Sequence, residues 1–136
     1  MPSLAFLLII IRPGTITIYR TMLNLNLLNE LRNRTVREAR IVDDYIQVEF
    51  LDGTVLNLNN DIELDDRPVP YTDEAQLSLR YLSGCTVLEI SLTSEHLELK
   101  LTDHVLIMIL KPEAWRSPEA LALFLPGEPP IVLTEP

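Results

Sequence analysis

Residues 31–58 read LRNRTVREARIVDDYIQVEFLDGTVLNL, and residues 82–109 read LSGCTVLEISLTSEHLELKLTDHVLIMI. Aligned without a gap at an offset of 51 positions, the two segments are identical at five pairs: Leu31/Leu82, Thr35/Thr86, Val36/Val87, Glu38/Glu89 and Asp52/Asp103. Their apolar residues also stay in phase: Ile41/Leu92, Ile46/Leu97, Val48/Leu99, Phe50/Leu101, Leu56/Ile107 and Leu58/Ile109. A slip of one residue would turn each such side chain to the other face of a strand. The sequence therefore predicts two copies of a three-stranded antiparallel unit.

Strands and turns follow from the pattern inside each copy. The first copy predicts three strands and two turns: 35–42, 45–51 and 54–58, with Asp43-Asp44 and Asp52-Gly53 between them. The Asp-Gly pair is typical of a tight two-residue hairpin, because it supplies the positive φ angles of that turn. The second copy predicts the same elements: 86–93, 96–101 and 105–110, with Ser94-Glu95 and Asp103-His104 between them. Since residues 105–110 are apolar on both faces, we expect this strand inside a sheet or at an interface.

The N-terminal region contains eight consecutive apolar residues, Leu4–Ile11. Their number and the stop at Pro13-Gly14 favour a buried strand, which pairs with the next run in a hairpin over residues 4–20. A membrane helix needs about 20 such residues, so no membrane span is predicted. Because both faces are apolar, the strand is expected at the centre of the fold or under another chain. Alternatively, Met22 is the true first residue of the protein.

Regions outside the two copies complete a single domain over residues 1–136. Residues 59–71 are rich in Asp, Asn and Pro and predict a loop. Thr72 can cap a helix with acidic residues in its first turn, so short helices are predicted at 72–82 and at the counterpart 23–32. Residues 120–134 predict a closing hairpin. The fold class is therefore all-β: an antiparallel sandwich or a partly closed barrel of about eight to ten strands, with one to three helical turns.

The charge balance limits the classes of partner. The chain has 136 residues, 20 of them acidic and 11 basic, and a net charge of −9. Nucleic-acid binding needs clustered Lys and Arg, and the basic run at 32–40 is flanked by carboxylates, so we expect no nucleic-acid partner. The single cysteine, Cys85, forms no internal disulfide, which favours the cytoplasm. All four glycines fall in predicted turns, so neither a phosphate loop nor a cofactor is predicted.

Three patterns that suggest catalysis or zinc binding have simpler explanations. His96 and His104 lie at opposite ends of one predicted hairpin strand, roughly 25 Å apart at about 3.3 Å per residue, whereas zinc ligands converge on one point. We expect both histidines to be solvent-exposed. Cys85 stands at the start of a strand with no third group to orient a base, and is expected to be a small, semi-buried side chain. Asp43, Asp44 and Glu95 lie at the matching turns of the two copies and could form a carboxylate pair for glycoside hydrolysis. We explain them as ordinary turn residues. We predict no catalytic residue and no metal ligand.

The segment Asn59–Asp66 offers carboxylates and amides, the oxygen ligands that calcium prefers. It lacks the glycine and the terminal glutamate of a calcium loop. Asp61, Glu63 and Asp65 also alternate with two apolar residues, which is the pattern of a short edge strand with a charged outer face. We favour the edge strand over the calcium site, and a calcium titration of the melting temperature separates the two.

The C-terminal half carries several short motifs. They are the start of a strand, a hydrophobic strand with its turn, a Glu-Ala-Trp segment and two proline-containing turns: Leu82–Val87, Leu97–Leu101 with Asp103, Glu113–Trp115, Pro118-Glu119 and Pro126–Glu128. In these motifs the chain resembles a family of small bacterial all-β proteins of unknown function. His104 departs from the family pattern, which has Gly at this turn position. The resemblance implies a fold type and a bacterial origin, and no chemistry.

Three functions are compatible with these features. The leading one is a non-catalytic protein-interaction module that self-associates, because two strands with apolar faces need cover; its binding residues would include Phe6, Leu8 and Ile10. The alternative is an acidic inhibitor or immunity-type protein that binds a basic partner surface through its carboxylates. These carboxylates are Asp43, Asp44, Asp61, Glu63, Asp65 and Asp66. An uncharacterised enzyme is the third.

Overall fold

The computed structural model describes residues 9–12, 15–19, 28–116 and 118–134, which form two β-sheets. Seven strands form the first sheet in the order β1-β2-β12-β11-β5-β4-β3. They are β1 (Ile9–Arg12), β2 (Thr15–Tyr19), β3 (Val36–Val42), β4 (Tyr45–Phe50), β5 (Val55–Leu58), β11 (Glu119–Phe124) and β12 (Ile131–Thr134). Neighbouring strands are antiparallel, except that β2 and β12 are parallel.

The second sheet has five antiparallel strands in the order β7-β6-β10-β9-β8. They are β6 (Ile62–Leu64), β7 (Arg67–Pro68), β8 (Val87–Leu92), β9 (His96–Leu101) and β10 (His104–Ile109). Over the residues described, the two sheets form a sandwich-like arrangement and neither closes into a barrel. The all-β class is confirmed and the barrel alternative is wrong. The described residues alone contain twelve strands, more than the eight to ten that the sequence predicts.

Alternate strand residues build the core. In β4, Ile46, Val48 and Phe50 are buried, whereas the side chains between them are partly exposed. The leucines of β9 follow the same rule, and one buried cluster contains residues of both sheets. Burial of a side chain of this size contributes about 1.5–3 kcal/mol, so the facing apolar surfaces hold the sheets together.

The two segments that the sequence aligns meet at the start of their first strands. Thr35 and Thr86 form an isolated antiparallel bridge. Four backbone hydrogen bonds of 2.8–2.9 Å surround it: Val36 N to Cys85 O, Val87 N to Arg34 O, Asn33 N to Val87 O and Gly84 N to Val36 O. An exchange of the two segments at the offset of 51 converts each of these bonds into another member of the set. The contact is therefore twofold-symmetric in its hydrogen bonds.

The first two strands of each segment also pair in the same register. β3 pairs with β4 from Val36↔Phe50 onward, and β8 pairs with β9 from Val87↔Leu101 onward. Both hairpins have an irregularity directly after this first pair. All five residue pairs of the second hairpin map onto pairs of the first at the offset of 51.

The third strands differ by one residue, because the hairpin loops differ in length. Between β4 and β5, Phe50 N donates a hydrogen bond of 2.8 Å to Thr54 O. This bond closes a loop of three residues, 51–53, that ends at Gly53 (φ 93°). β9 and β10 are joined by two residues, Thr102-Asp103. The prediction of a two-residue loop at Asp52-Gly53 is therefore wrong. So is the predicted turn at Asp103-His104, since His104 already belongs to β10.

The shorter second loop changes which side chains of β10 face the core. Leu106 and Met108 are buried, whereas Ile107 and Ile109 are partly exposed. In the first segment, by contrast, Leu56 and Leu58 are buried. The predicted equivalences Leu56/Ile107 and Leu58/Ile109 are therefore wrong, and the gapless alignment ends at the hairpin.

The connector at 59–71 carries the chain from the first sheet to the second. Asn59 Nδ2 donates to Glu119 O of β11, and Asn60 Nδ2 donates to Ile109 O of β10, both at 2.9 Å. β6 and β7 then form a hairpin whose two loop residues, Asp65 and Asp66, have φ angles of 51° and 68°. The prediction of a loop over the whole connector is wrong. β6 has the predicted alternation, with Ile62 and Leu64 buried and Glu63 partly exposed. The prediction of an edge strand is wrong, because β6 lies between β7 and β10.

Helix α1 (Asp73–Leu79) begins where the sequence predicts. Thr72 Oγ1 accepts a hydrogen bond of 3.3 Å from Ala75 N. The helix lies beside β3, an edge strand of the first sheet, where Gln76 takes the place of a neighbouring strand. Its Oε1 accepts from Ile41 N (2.6 Å) and its Nε2 donates to Ala39 O (3.4 Å). The described residues also contain three short 3-10 turns: Asn29–Leu31, Arg80–Leu82 and Pro112–Ala114.

β1 and β2 form an antiparallel hairpin at the end of the first sheet, with Ile9 opposite Thr17. β1 is the last strand of that sheet. The expectation that this strand is central in the fold is therefore wrong for its described part, residues 9–12. The rest of the predicted apolar strand, residues 4–8, lies outside the described residues.

Candidate interaction surfaces

The outer face of the second sheet carries three aliphatic side chains in line, which we name the apolar row: Val105, Ile107 and Ile109. All three are partly exposed, while the residues between them are buried in the core. β10 lies between β6 and β9, so the apolar row runs along the middle of this face. The sequence predicts a strand with two apolar faces here, inside the sheet or at an interface, and the structure places it inside the sheet with one face partly open to solvent.

Charged residues flank the apolar row on both sides. Ile107 lies opposite Glu63 of β6 on one side and opposite Glu98 of β9 on the other. Asp61 adjoins the end of the row, since Ile109 N donates a hydrogen bond of 2.9 Å to its carbonyl oxygen. Within the described ranges, neither Glu63 nor Glu98 has a basic group at ion-pair distance.

The outer face of the first sheet is different, because its carboxylates are balanced by arginines. Glu49 lies 3.8 Å from Arg37 and 4.0 Å from Arg40, and Glu38 lies 3.3 Å from Arg40. Arg40 also donates to Gln47 Oε1 at 2.7 and 3.1 Å. This is the charge-balanced strand surface that the sequence predicts for the basic run.

A hollow of about 870 Å³ lies at the Ile109 end of the apolar row. The guanidinium of Arg116 stacks over the ring of Tyr71, 4.2 Å from its centroid. The Tyr71 hydroxyl donates to Asn60 O at 3.1 Å. Burial raises the pKa of Tyr71, although the positive charge of Arg116 acts in the opposite direction. The phenol therefore stays neutral at physiological pH and keeps its hydrogen bond to the connector.

A second hollow, of about 500 Å³, lies between the β6–β7 hairpin and α1. His104 Nδ1 lies 2.7 Å from Asp65 Oδ2, and Asp65 Oδ1 accepts a hydrogen bond of 2.9 Å from Val105 N. The hydrogen bond with His104, followed by that from Val105, lowers the pKa of Asp65. His104 is 24% exposed and His96 is also only partly exposed, so neither histidine is as solvent-exposed as the sequence predicts.

Cys85 is buried, and its thiol donates a hydrogen bond of 3.5 Å to Tyr81 O. Burial raises the pKa of the thiol, and the negative charges of Asp103 and Asp65 raise it further. Because the thiolate is the reactive form of cysteine, this environment suppresses nucleophilic chemistry. At the offset of 51, Arg34 occupies the matching position of the first segment.

The structure separates the residues that the sequence proposes for partner binding. Phe6 and Leu8 lie outside the described residues, and Ile10 lies in the edge strand β1. Glu63 lies on β6 next to the apolar row, and Asp61 directly precedes that strand. Asp65 and Asp66 form the turn at the other end of β6, where Asp65 is engaged with His104. The four acidic residues are therefore spread along β6 and the turn after it, and they do not converge on one point.

In the described part of the chain, no group of three or more His, Cys, Asp or Glu side chains is placed to hold a metal ion. The geometry of the strands explains this result. Carboxylates at alternate positions of a strand are about 7 Å apart, whereas calcium ligands must lie within about 2.6 Å of one point. His96 and His104 lie opposite Ile109 and Leu101, so they occupy the two ends of the β9–β10 ladder, about 17 Å apart. The predicted separation of roughly 25 Å is too long, because the two histidines lie on neighbouring strands and not on one strand.

Two features of this region were missed by sequence reasoning. The stack of Tyr71 and Arg116 joins two connectors that are far apart in the sequence. No local sequence pattern predicts that an aromatic residue contacts an arginine at such a separation. The role of Gln76 was missed because an amide on a helix has no sequence signal for pairing with an edge strand. In contrast, the apolar character of residues 105–110 was visible in the sequence.

Comparison with known proteins gives no assignment: no family model, no curated protein and no solved structure matches this chain. Among the described residues, no helix has both the length and the apolar composition needed to cross a membrane. The functional argument therefore depends on the surfaces described above.

Proposed function

We propose that this protein is a non-catalytic protein-interaction module that self-associates through the edge strand β1. The observation that carries the proposal is that β1 is the last strand of its sheet and begins with three isoleucines. An edge strand presents unpaired backbone groups, and it pairs readily with another chain unless charge, proline, shortness or a covering group prevents this. A second copy of the chain supplies the pairing.

The other sheet edges have such protection. The Gln76 side chain covers β3 by bonding to Ile41 and Ala39. β7 has only two residues, and the second is Pro68. β8 carries the exposed Glu89. The one charged residue of β1, Arg12, is its last; residues 9–11 have no charge and no proline, and no described strand pairs with their free edge. This contrast supports β1 as the site of self-association.

The proposed contact is an antiparallel pairing of β1 with β1 of a second copy. Such a contact is isologous, because both copies contribute the same strand, and it closes after two subunits. It joins the first sheets of both copies into one continuous sheet. The participation of Phe6 and Leu8 in this contact stays a prediction.

Sedimentation velocity and light scattering over a range of protein concentrations test the proposal. The unaltered chain is expected to dimerise, and Ile10→Lys, which places a charge in the edge strand, to be monomeric. Leu88→Lys is the matched control, because Leu88 is 46% exposed on the edge strand of the other sheet. It should leave the dimer intact. Thermal melting establishes that both variants are folded, and a dimer that survives Ile10→Lys contradicts the proposal.

We also propose that segments 31–58 and 82–109 descend from one duplicated unit. The equal register of the first two strands and the reciprocal hydrogen bonds around Thr35 and Thr86 support it. The different third strand requires only the loss or gain of one residue in a hairpin loop. Pseudo-twofold symmetry of the whole domain would follow from such a duplication.

A non-catalytic role and a cytoplasmic location are part of the same proposal. The raised pKa of the Cys85 thiol supports the first, because it disfavours the thiolate that a nucleophilic enzyme needs. The single cysteine supports the second, because one thiol is stable as such in a reducing compartment.

A further inference from the structure

We infer that the outer face of the second sheet docks a basic protein segment, which lays aliphatic side chains on the apolar row and Lys or Arg side chains against Glu63 and Glu98. This surface lies on a different sheet from β1. The inference therefore goes beyond self-association and holds whether or not the chain dimerises.

The apolar row supplies the contact area. Val105, Ile107 and Ile109 are β-branched side chains with few rotamers, so covering them costs little side-chain entropy. They lie on a central strand held by neighbours on both sides, β6 and β9. The surface is thus rigid before it binds, and preorganisation of this kind favours affinity.

The flanking carboxylates determine the charge of the partner. Glu63 and Glu98 lie on either side of Ile107, and no described base neutralises them. A neutral or acidic partner would remove water from these carboxylates without replacing its hydrogen bonds, which is costly. A second copy docked by this face would oppose carboxylates with carboxylates. A basic partner supplies the missing charges, in the way that arginines do on the outer face of the first sheet.

The two ends of the row distinguish the partner further. At one end, Lys100 lies opposite Val105, so the basic contacts of the partner belong at the level of Ile107. At the other end, the hollow beside Ile109 contains the Tyr71–Arg116 stack. Asp61 and Glu63 also line this hollow and offset the charge of Arg116. Its remaining lining is largely apolar, so the hollow suits an aliphatic or aromatic anchor. Successive residues of the row are about 7 Å apart, the spacing of alternate side chains in an extended segment.

Selection of a random displayed peptide library on the immobilised protein tests the inference without a known partner. Peptides that bind are expected to combine aliphatic residues with an excess of Lys and Arg. Synthetic versions of the selected peptides are then titrated by fluorescence anisotropy against three variants: Ile107→Thr, the pair Glu63→Gln with Glu98→Gln, and the pair Glu113→Gln with Glu128→Gln. The last pair is the matched control, because it removes the same two negative charges from exposed positions elsewhere.

The first glutamate pair is expected to weaken binding about two- to thirty-fold, as the loss of two exposed ion pairs does. Ile107→Thr should also weaken binding while the melting temperature stays close to that of the unaltered chain. The control pair should leave binding unchanged. Selected peptides without a basic excess overturn the basic partner, and equal weakening by both glutamate pairs overturns the site. Peptides whose binding is insensitive to Ile107→Thr overturn the docking surface itself.

Discussion

The hydroxyl oxygens of Thr35 and Thr86 lie 3.0 Å apart, within hydrogen-bond distance, at the point where the two aligned segments cross. Their backbones form an antiparallel bridge there. Because the two residues occupy the same position in their segments, each threonine meets its own counterpart. Thr35 directly precedes β3 and Thr86 directly precedes β8, so this pair joins the two sheets at one end of the sandwich.

Removal of either hydroxyl should cost the fold about as much as removal of both. Thr35→Val or Thr86→Val loses the same bond, worth about 0.5–1.5 kcal/mol, and leaves one hydroxyl without its partner. The double variant loses that bond once and leaves no hydroxyl unpaired, so its cost should fall below the sum of the single costs. Urea unfolding of the four proteins measures this coupling. Additive costs would show that the hydroxyls do not interact.

Asn33 and Gly84 occupy matching positions, and both have positive φ angles, 70° and 87°. A Cβ at Gly84 would meet no atom within 4 Å, so substitution there costs conformational energy alone. We expect Asn33→Ala and Gly84→Ala each to lower the free energy of unfolding by about 1 kcal/mol. Asn33→Gly and Gly84→Asn should be nearly neutral, since both residues tolerate this conformation. Chemical denaturation checks all four, and unequal costs of the two alanine variants would contradict the equivalence of these positions.

Much of the strand content was predictable because it depends on local pattern. The alternation in residues 45–50 and 96–101 assigns the buried face of β4 and β9 without knowledge of the partner strands. Thr72 followed by acidic residues identifies the start of α1 in the same local way. The alternation of buried and exposed residues in β6 was predictable in the same way, whereas its position between β7 and β10 was not.

The arrangement of the strands was not predictable, because it depends on contacts between distant residues. Nothing in the sequence indicates that β12 pairs in parallel with β2, or that β11 lies beside β5. The predicted loop length at Gly53 was wrong for a different reason. A glycine after Asp suits both a two-residue loop and the last position of a three-residue loop. The difference of one residue between the two hairpin loops then determines which side chains of the third strand, β5 or β10, face the core.

Loss of the Gln76 side chain should loosen the edge of the first sheet. Gln76→Ala removes two hydrogen bonds to β3, at Ile41 and Ala39, and should lower the free energy of unfolding by about 1–2 kcal/mol. Hydrogen exchange at the Ile41 amide should become faster, because water replaces the side-chain acceptor. Leu77→Ala on the same helix is the control, since Leu77 is 56% exposed, and it should leave exchange at Ile41 unchanged. Equal exchange rates in both variants would show that Gln76 does not protect this edge.

The pair of Asp65 and His104 should make part of the stability dependent on pH in the acidic range. Hydrogen bonds from His104 and Val105 hold the pKa of Asp65 below its ordinary value of 3.8, so its ionised form stabilises the fold above that value. This stabilisation is lost as the pH falls through the lowered pKa of the folded state. Asp65→Asn keeps a residue suited to positive φ but removes the charge, and should cost up to about 1 kcal/mol at neutral pH, since Asp65 is about half exposed. Urea unfolding at a series of pH values should show that the stabilities of the two proteins converge in acid.

Asp66→Asn, in the same turn with a φ of 68°, is the matched control, and its stability should parallel that of the unaltered chain at every pH. A constant difference in stability for Asp65→Asn down to strongly acidic pH would show that the charge of Asp65 does not stabilise the fold.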